Sequence, residues 1–338
     1  MLARTVDFDL SSDQLALRDA ARELLDARSS SERVRKLIDS SEMYDADLWR
    51  EMAEQGWLAL DLAEDDGGLG LGFVEVAVLA EEVGRHVAPA PYASTVLARQ
   101  ALAGTPWAER LTSGESIGAI AWGGGVVVDA AIADVLVVVD LDAVTAYDIA
   151  GRRPGAEAAM DLTRPVSRTM SLDDGLRVGD ADLATVLLDR GATAYAAELL
   201  GAAQRMLEAT VEYAKVREQF GRPIGSFQAV KHRCADMLVD VEGMRSAVWY
   251  AAWAIDADAE DRSLAASTAK AWASDAGMRV LNSALQVHGG IGFTWEHDLH
   301  LYLKRAHLDA MLFGDASYHR ERIATLLKAR VESGAGVF

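Results

Sequence analysis

The stretch REQFGRPIGSFQAVKHRCADM, residues 217–237, limits what this chain can fold into more sharply than any other. Upstream, residues 192–215 are alanine-rich and amphipathic. Downstream, Val230, Met237, Leu238, Val241 and Met244 recur at helical spacing. Gly221, Pro223 and Gly225 interrupt the pattern between them, because glycine tolerates any φ and proline removes an amide donor. The two helices must therefore fold back as an antiparallel pair, with Ser226 reading as the N-cap of the second. Arg217 and Gln219 then stand at a helix end beside a tight turn, a rigid place from which planar donors can meet a phosphate or an amide edge. The same place also suits a surface arginine that only offsets the helix dipole.

With 338 residues and 51% hydrophobic content, the chain can bury a large core and predicts two or three packed units. Its net charge of −19 would repel nucleic-acid backbones and anionic membrane surfaces, so neither is an expected partner. Cys234 is the one cysteine, which excludes an internal disulfide and a cysteine metal cluster; its apolar helix position suits a buried, inert thiol. The start of the sequence has no basic segment followed by an apolar run, and no stretch is long enough to span a bilayer, so a cytoplasmic protein is expected. Residues 11–26 read as a first helix capped by Ser11 or Ser12, and residues 31–38 and 45–55 as further helices.

Gly67, Gly68, Gly70 and Gly72 form a glycine-rich turn before another helix. Such a loop can cradle phosphate, but Glu64, Asp65 and Asp66 oppose an anion there and favour a plain sharp turn. Between residues 113 and 188 the runs SIGAIAW, GGVVVDAAI, ADVLVVVDLDAVTAYDI and ATVLLD argue for a small sheet. No GxGxxG and helix follow the run at Val135, so a dinucleotide-binding fold is excluded. Residues 264–285 return to helix and end at a glycine cluster. The expected division is an N-terminal helical domain over 1–112, a β domain over 113–188 and a helical bundle over 189–338. His288, His297, His300 and His307 lack the spacing of a metal site, with His297 and His300 three apart on a predicted helix.

RxQFGxxIGxFQxxKHxxADM is similar, nearly letter for letter, to the helix-turn-helix of the acyl-CoA dehydrogenase family, flavoenzymes that oxidise acyl thioesters. The glycine turn at residues 67–72 and the pair Glu81 and Glu82 resemble that family's first helical domain, although Ala63 stands where the family usually has proline. QVHGGIGF, followed by Glu296, His297, Leu299, Tyr302 and Arg305, resembles the family segment that holds the pyrophosphate of FAD through a glutamine amide and a glycine amide. The resemblance implies a mainly α fold with an N-terminal helical domain, a reduced central β domain and a C-terminal helical bundle. It implies FAD as cofactor, gripped by Arg217, Gln219, Phe220, Gln286, Gly289 and Gly290. The middle region departs from the family. The threonine-glutamate-proline and tryptophan-isoleucine-threonine segments that meet the flavin are missing, and Gly123, Gly124 and Gly125 follow Ala121 and Trp122 instead.

The stretch MLFGDASYHR, residues 311–320, departs further. The corresponding family segment reads aromatic-Glu-Gly-Thr, and its glutamate removes the α-proton of the thioester while hydride passes from the β-carbon to the flavin. Here Phe313 keeps the aromatic place, but Gly314 replaces the glutamate, Asp315 the glycine and Ala316 the threonine. A shift of one residue turns a side chain by about 100° and moves it about 1.5 Å, and a base must come within about 3 Å of its proton. Asp315 is thus a weak candidate base and a well-placed N-cap for a helix over 316–330. Some relatives carry the base on the helix before the RxxFG turn, which falls here on Gly191; Glu198, two turns along on nearly the same face, is the other weak candidate.

In the family each flavin lies at a dimer interface, its ring held by one subunit and its adenosine-diphosphate half by the neighbour. This chain resembles the family in what it supplies to a neighbour's flavin and departs in what serves its own. That combination resembles the short subunits of two-subunit bacterial acyl-CoA dehydrogenases, such as those acting on steroid side-chain CoA thioesters. The expected assembly is an α2β2 heteromer with a full-length acyl-CoA dehydrogenase subunit, acting on an acyl-CoA and passing electrons to an electron-transfer flavoprotein or similar acceptor. The alternatives are a self-sufficient homomeric flavoenzyme using Asp315 or Glu198, a non-dehydrogenase of the same fold, and a structural protein that binds no flavin.

Overall fold

Short polar side chains set the first helix boundaries in the computed structural model, which describes residues 10–168 and 172–334. Ser11 caps α1 (Ser12–Arg28) in a reciprocal capping box with Gln14, Ser30 caps α2 (Ser31–Ile38), and Asp45 caps α3 (Ala46–Glu54). The glycine turn then leads to α4 (Phe73–His86), with Gly67 and Gly70 at φ 79° and 63°. There is no cradle for phosphate here, because Asp256 reaches from a distant helix to accept from the Phe73 and Val74 amides at the α4 N-terminus. α5 (Tyr92–Ala101) and α6 (Pro106–Thr112) complete the N-terminal helices.

The β-branched runs pair as expected. A four-stranded sheet has the order β1 (Gly118–Trp122), β3 (Val135–Val139), β4 (Ala143–Asp148), β6 (Leu176–Asp180), and β2 (Val126–Val128) pairs separately with β5 (Val166–Arg168). β1 and β3 are parallel, whereas β3–β4 and β4–β6 are antiparallel, with an irregularity between Val144 and Thr145. β3 turns straight into its antiparallel neighbour β4, the opposite of a dinucleotide-binding crossover.

One expectation fails here. The run ATVLLD is not a strand: it lies in α7 (Ala181–Val216), which starts well before residue 192 under an Asp180 N-cap. α7 is the central helix, buried without a break from Leu187 to Ala203, so its apolar residues face every direction and leave no helical stripe to read. Small residues let α4 approach it backbone to backbone: a Cβ built on Gly201 would lie 1.8 Å from the Glu81 carbonyl, and one on Gly84 would lie 2.0 Å from that of Glu198. α8 (Gln228–Asp256) and α9 (Arg262–His288) run back and forth beside α7, followed by α10 (Leu299–Met311) and α11 (Ala316–Glu332). The Glu81 and Glu82 pair is structural, each buried and paired to an arginine of another helix, Arg245 at 2.9 Å and Arg22 at 2.6 Å.

Candidate functional site

α7 emerges at its C-terminal end, where Lys215 and Val216 are exposed. There the chain makes the hairpin of β7 (Glu218–Gln219) and β8 (Arg222–Pro223), whose two-residue loop puts Phe220 and Gly221 at φ 55° and 76°. Positive φ at both central positions is the twist a two-residue hairpin requires. Glycine meets it freely; Phe220 does so at a cost of roughly 1–2 kcal/mol while its ring is 93% exposed. Arg217 is exposed beside this turn, with its N–H donating to Tyr213 O at 2.8 Å and its carbonyl accepting from Ile224 N at 2.7 Å. Its guanidinium forms no ion pair among the described residues, and Gln219 is also exposed. Ser226 does not cap α8: it belongs to the tight turn Ile224–Ser226, and Phe227 takes the N-cap position without a side-chain bond.

α9 ends at the same end of the bundle. Its last residue, His288, stacks on Tyr213 of α7 at 4.5 Å and 22°, which brings the glycine turn beside the hairpin. Gly289 has φ 62° and ψ −140°, a combination that side-chain-bearing residues rarely adopt. A Cβ built on Gly289 or Gly290 meets nothing within 4 Å, and Gln286 is exposed on the turn before them. The six residues proposed from sequence thus lie on two adjoining segments, with bare backbone, an amide and a guanidinium open to whatever approaches. His297 precedes α10 rather than riding on it, and its ring lies 4.5 Å from that of His288.

The region of Gly191 and Gly314 is the reverse. Phe313, held at φ 55° and 5% exposed, stacks on Tyr195 at 5.7 Å and covers Gly191, where a Cβ would come 2.2 Å from Phe313 Cδ1. Gly314 has φ 92°, and a Cβ there would lie 2.5 Å from Tyr318 Cδ1 and 3.0 Å from His319 Nε2. Trp122 closes the other side, edge-on to Tyr318 at 4.8 Å. A glutamate cannot be placed at either position without displacing these rings.

Two buried side chains fix the backbone of this segment. Lys270 donates to the carbonyls of Asp309 and Ala310 at 2.9 Å, and burial pulls its ammonium down to about 7. His319 donates from Nε2 to Phe313 O at 2.8 Å and is pushed down to about 4, chiefly by burial, so it is neutral. Asp315 is exposed and accepts from the Tyr318 amide at 2.8 Å, the bond of an N-cap.

Glu198 belongs to a buried ion cluster that sequence reasoning missed. Its carboxylate lies 2.5 Å from Arg164 and 3.5 Å from Arg305; Arg164 also meets Asp309 at 3.4 Å, and Arg305 meets Asp161 at 2.9 Å. Three carboxylates face two guanidiniums, and Asp309 is pushed up to about 8 by burial and by the Glu198 charge. Glu198 therefore ties the β domain to the helices, with its charge matched by arginines.

Known proteins can be set beside this geometry. The model of the acyl-CoA dehydrogenase N-terminal domain matches residues 11–110, and that of the acyl-CoA dehydrogenase C-terminal domain matches residues 181–327. The chain belongs to the acyl-CoA dehydrogenase family. It is 39% identical to acyl-CoA dehydrogenase IpdE2 of Mycolicibacterium smegmatis over 316 residues, covering 90% of this chain and 96% of the relative. Among solved structures, it is similar to a chain of the Tcur3481-Tcur3483 steroid ACAD, with a TM-score of 0.85 and 30% identity over 95% of this chain and 99% of the other. A chain of the ChsE4-ChsE5 complex from Mycobacterium tuberculosis matches with the same TM-score and identity, over 96% and 99%.

This family of oxidoreductases uses FAD. The hairpin and glycine turn fit one part of such a nucleotide, since Arg217 offers a forked cation and Gly289 and Gly290 leave room for a pyrophosphate against backbone. The ring-filled pocket at Gly191 and Gly314 leaves no comparable room. Among the described residues, no helix is long and apolar enough to cross a membrane.

Proposed function

We propose that this chain is the non-catalytic subunit of a heteromeric, FAD-dependent acyl-CoA dehydrogenase. In this reading a full-length partner subunit supplies the base and the flavin-ring contacts, and this chain supplies the grip on the nucleotide half. The observation that carries it is the packing at Gly191 and Gly314, where aromatic rings occupy both places a base would need. Roughly 40 Å of helix separates Gly191 from Arg217 at 1.5 Å per residue, so the two regions cannot attend to the same small ring system within one chain. Bound FAD supplies the acceptor for the hydride from the thioester β-carbon. The part assigned to this chain is binding: Arg217 neutralises and orients the pyrophosphate, Gln219 and Gln286 donate amide hydrogens, Gly289 and Gly290 admit the phosphates to backbone N–H groups, and Phe220 offers a ring face for the adenosine.

The likeness to the Tcur3481-Tcur3483 steroid ACAD and the ChsE4-ChsE5 complex supports both the two-subunit assembly, taken as α2β2, and a steroid-derived acyl group. An electron-transfer flavoprotein or similar acceptor would reoxidise the flavin. The deciding measurement is the visible spectrum and acyl-CoA-dependent dye reduction of the chain expressed alone and with its partner. The expected result is a colourless, inactive chain and a yellow, active complex. A fully flavinylated homodimer that reduces dye with acyl-CoA would return the function to a self-sufficient enzyme.

A further inference from the structure

We propose that His288 is a positioning residue, clasped between Tyr213 and His297, that holds the hairpin and the glycine turn at one spacing so that both can engage a single cofactor. The inference rests on the reading above that Arg217 and Gly289 serve the same FAD. Tyr213 lies one turn before Arg217 and accepts its backbone N–H at 2.8 Å, so a displacement of Tyr213 is passed to the base of the hairpin. At the last turn of α7 Lys215, Val216 and Arg217 are exposed while Ala214 packs against Gly225 of the hairpin segment, and the His288 stack is a contact that ties this turn to α9. His288 sits directly before Gly289, whose left-handed φ of 62° turns the chain out of α9, so the position of the His288 ring sets where the glycine turn begins.

Three contacts fix the His288 ring between them. Its Nδ1–H donates to Ala284 O at 2.8 Å, one face stacks on Tyr213 at 4.5 Å, and the His297 ring stands 4.5 Å away at 58°. The Tyr213 hydroxyl also reaches His288 O at 3.5 Å. His297 is held in turn, its Nδ1 accepting from Leu299 N at 3.1 Å at the start of α10. Burial holds both imidazoles below their usual range, helped at His288 by His297 and opposed at His297 by Asp298 against Arg35. The clasp is therefore an uncharged stack at neutral pH, and its contribution is geometric rather than a charge offered to phosphate.

An aromatic pair of this kind, converted through binding arithmetic, predicts a twofold to tenfold effect, in order of magnitude. The test is FAD titration of the deflavinated complex of this chain with its partner. His288→Ala should weaken FAD by about that factor, His288→Phe should restore most of it by rebuilding the stack, and Tyr213→Leu should reproduce the loss from the other side. If His288 acts through the position of Arg217, its effect should shrink in an Arg217→Ala background, as expected for residues of one unit. Unchanged affinity in both His288→Ala and Tyr213→Leu, with Arg217→Ala still weakening FAD, would overturn the inference and leave the functional reading standing. Full additivity with Arg217→Ala would also overturn it. No effect of Arg217→Ala itself would overturn the reading and the inference together. Should His288→Ala fail to fold, Tyr213→Leu and His288→Phe carry the same comparison.

Discussion

Two regions along α7 have opposite characters. Around Gly191 the helix is enclosed: Phe313 lies on it, Tyr195 stacks on Phe313, and Glu198 is sunk in a cluster of opposite charges. At Val216 the same helix emerges into solvent and ends in a strained hairpin, where the Arg217 guanidinium forms no ion pair among the described residues, the Gln219 amide donates only to the adjacent Glu218 carbonyl, and the Phe220 ring meets Phe227 edge-on yet stays exposed. Polar groups that are buried must be satisfied internally, whereas groups held rigid and left exposed remain available to a ligand. The enclosed region is thus built for stability and the open one for binding, and the two should respond differently to substitution.

The largest response is expected in the enclosed region. Glu198→Ala removes the carboxylate that Arg164 and Arg305 share in a dry setting, leaving Arg164 only the longer contact to Asp309 at 3.4 Å, and should cost about 3–5 kcal/mol, read as a fall in Tm. Asp309→Asn should cost far less, because Asp309 is largely protonated at neutral pH. The sign follows from proton counting: with its folded pKa raised to about 8, Asp309 binds more protons folded than unfolded between its usual carboxylate range and pH 8. Its contribution therefore falls as pH rises through that window. Asp309→Asn should flatten that part of the stability–pH curve, and an unchanged slope would mean that the excess proton sits elsewhere. A Glu198→Ala protein as stable as the parent, but inactive in the complex, would instead restore Glu198 as a base.

The open region should show the converse. Arg217→Ala ought to leave stability within about 0.5 kcal/mol of the parent, as for an exposed side chain away from special features. It should weaken FAD in the assembled complex by a charge-assisted hydrogen bond, of order 1.5–3 kcal/mol or roughly tenfold to a hundredfold. Arg217→Lys should recover only part of this, because an ammonium lacks the planar fork. Equal FAD retention in all three proteins would make Arg217 a surface charge beside a helix end.

How much of this contrast could be read from the residues alone differs between the regions. The open end was legible because its chemistry is local: Gly221 and Pro223 mark the turn, and the glycines after His288 mark a helix stop. Caps were legible for the same reason at Asp315 and, as one of the two serines offered, at Ser11. The enclosed end was not. Leu187 and Leu188 look like part of a strand because a helix buried on every side has no polar face to reveal its period. Ser226 misled because Gly225 packs so closely on α7, where its Cβ would lie 2.9 Å from Ala214 O, that the chain inserts a tight turn first. The ion cluster joins Asp161 and Arg164 of a loop to Glu198, Arg305 and Asp309 on two helices, and the clasp of Tyr213 by His288 joins two helix ends. No spacing rule within one segment encodes such meetings.

The smallest effect is expected at Asp315, an exposed residue at the edge of the enclosed region. Its carboxylate accepts the Tyr318 amide at 2.8 Å, so its role in stability is that of a cap. Asp315→Ala should cost roughly 0.5–2 kcal/mol, while Asp315→Asn should cost almost nothing, since the two residues cap about equally well. Turnover separates capping from catalysis more sharply than stability does. An amide has no lone pair basic enough to take an α-proton, so if Asp315 were the base, Asp315→Asn would abolish turnover in a complex that remained folded and flavin-loaded. The capping role predicts that the Asn complex turns over at nearly the parental rate and melts at nearly the parental temperature. Loss of turnover in a stable Asp315→Asn complex would place the base in this chain, one residue beyond Gly314, and the enclosed region would have to open during the reaction.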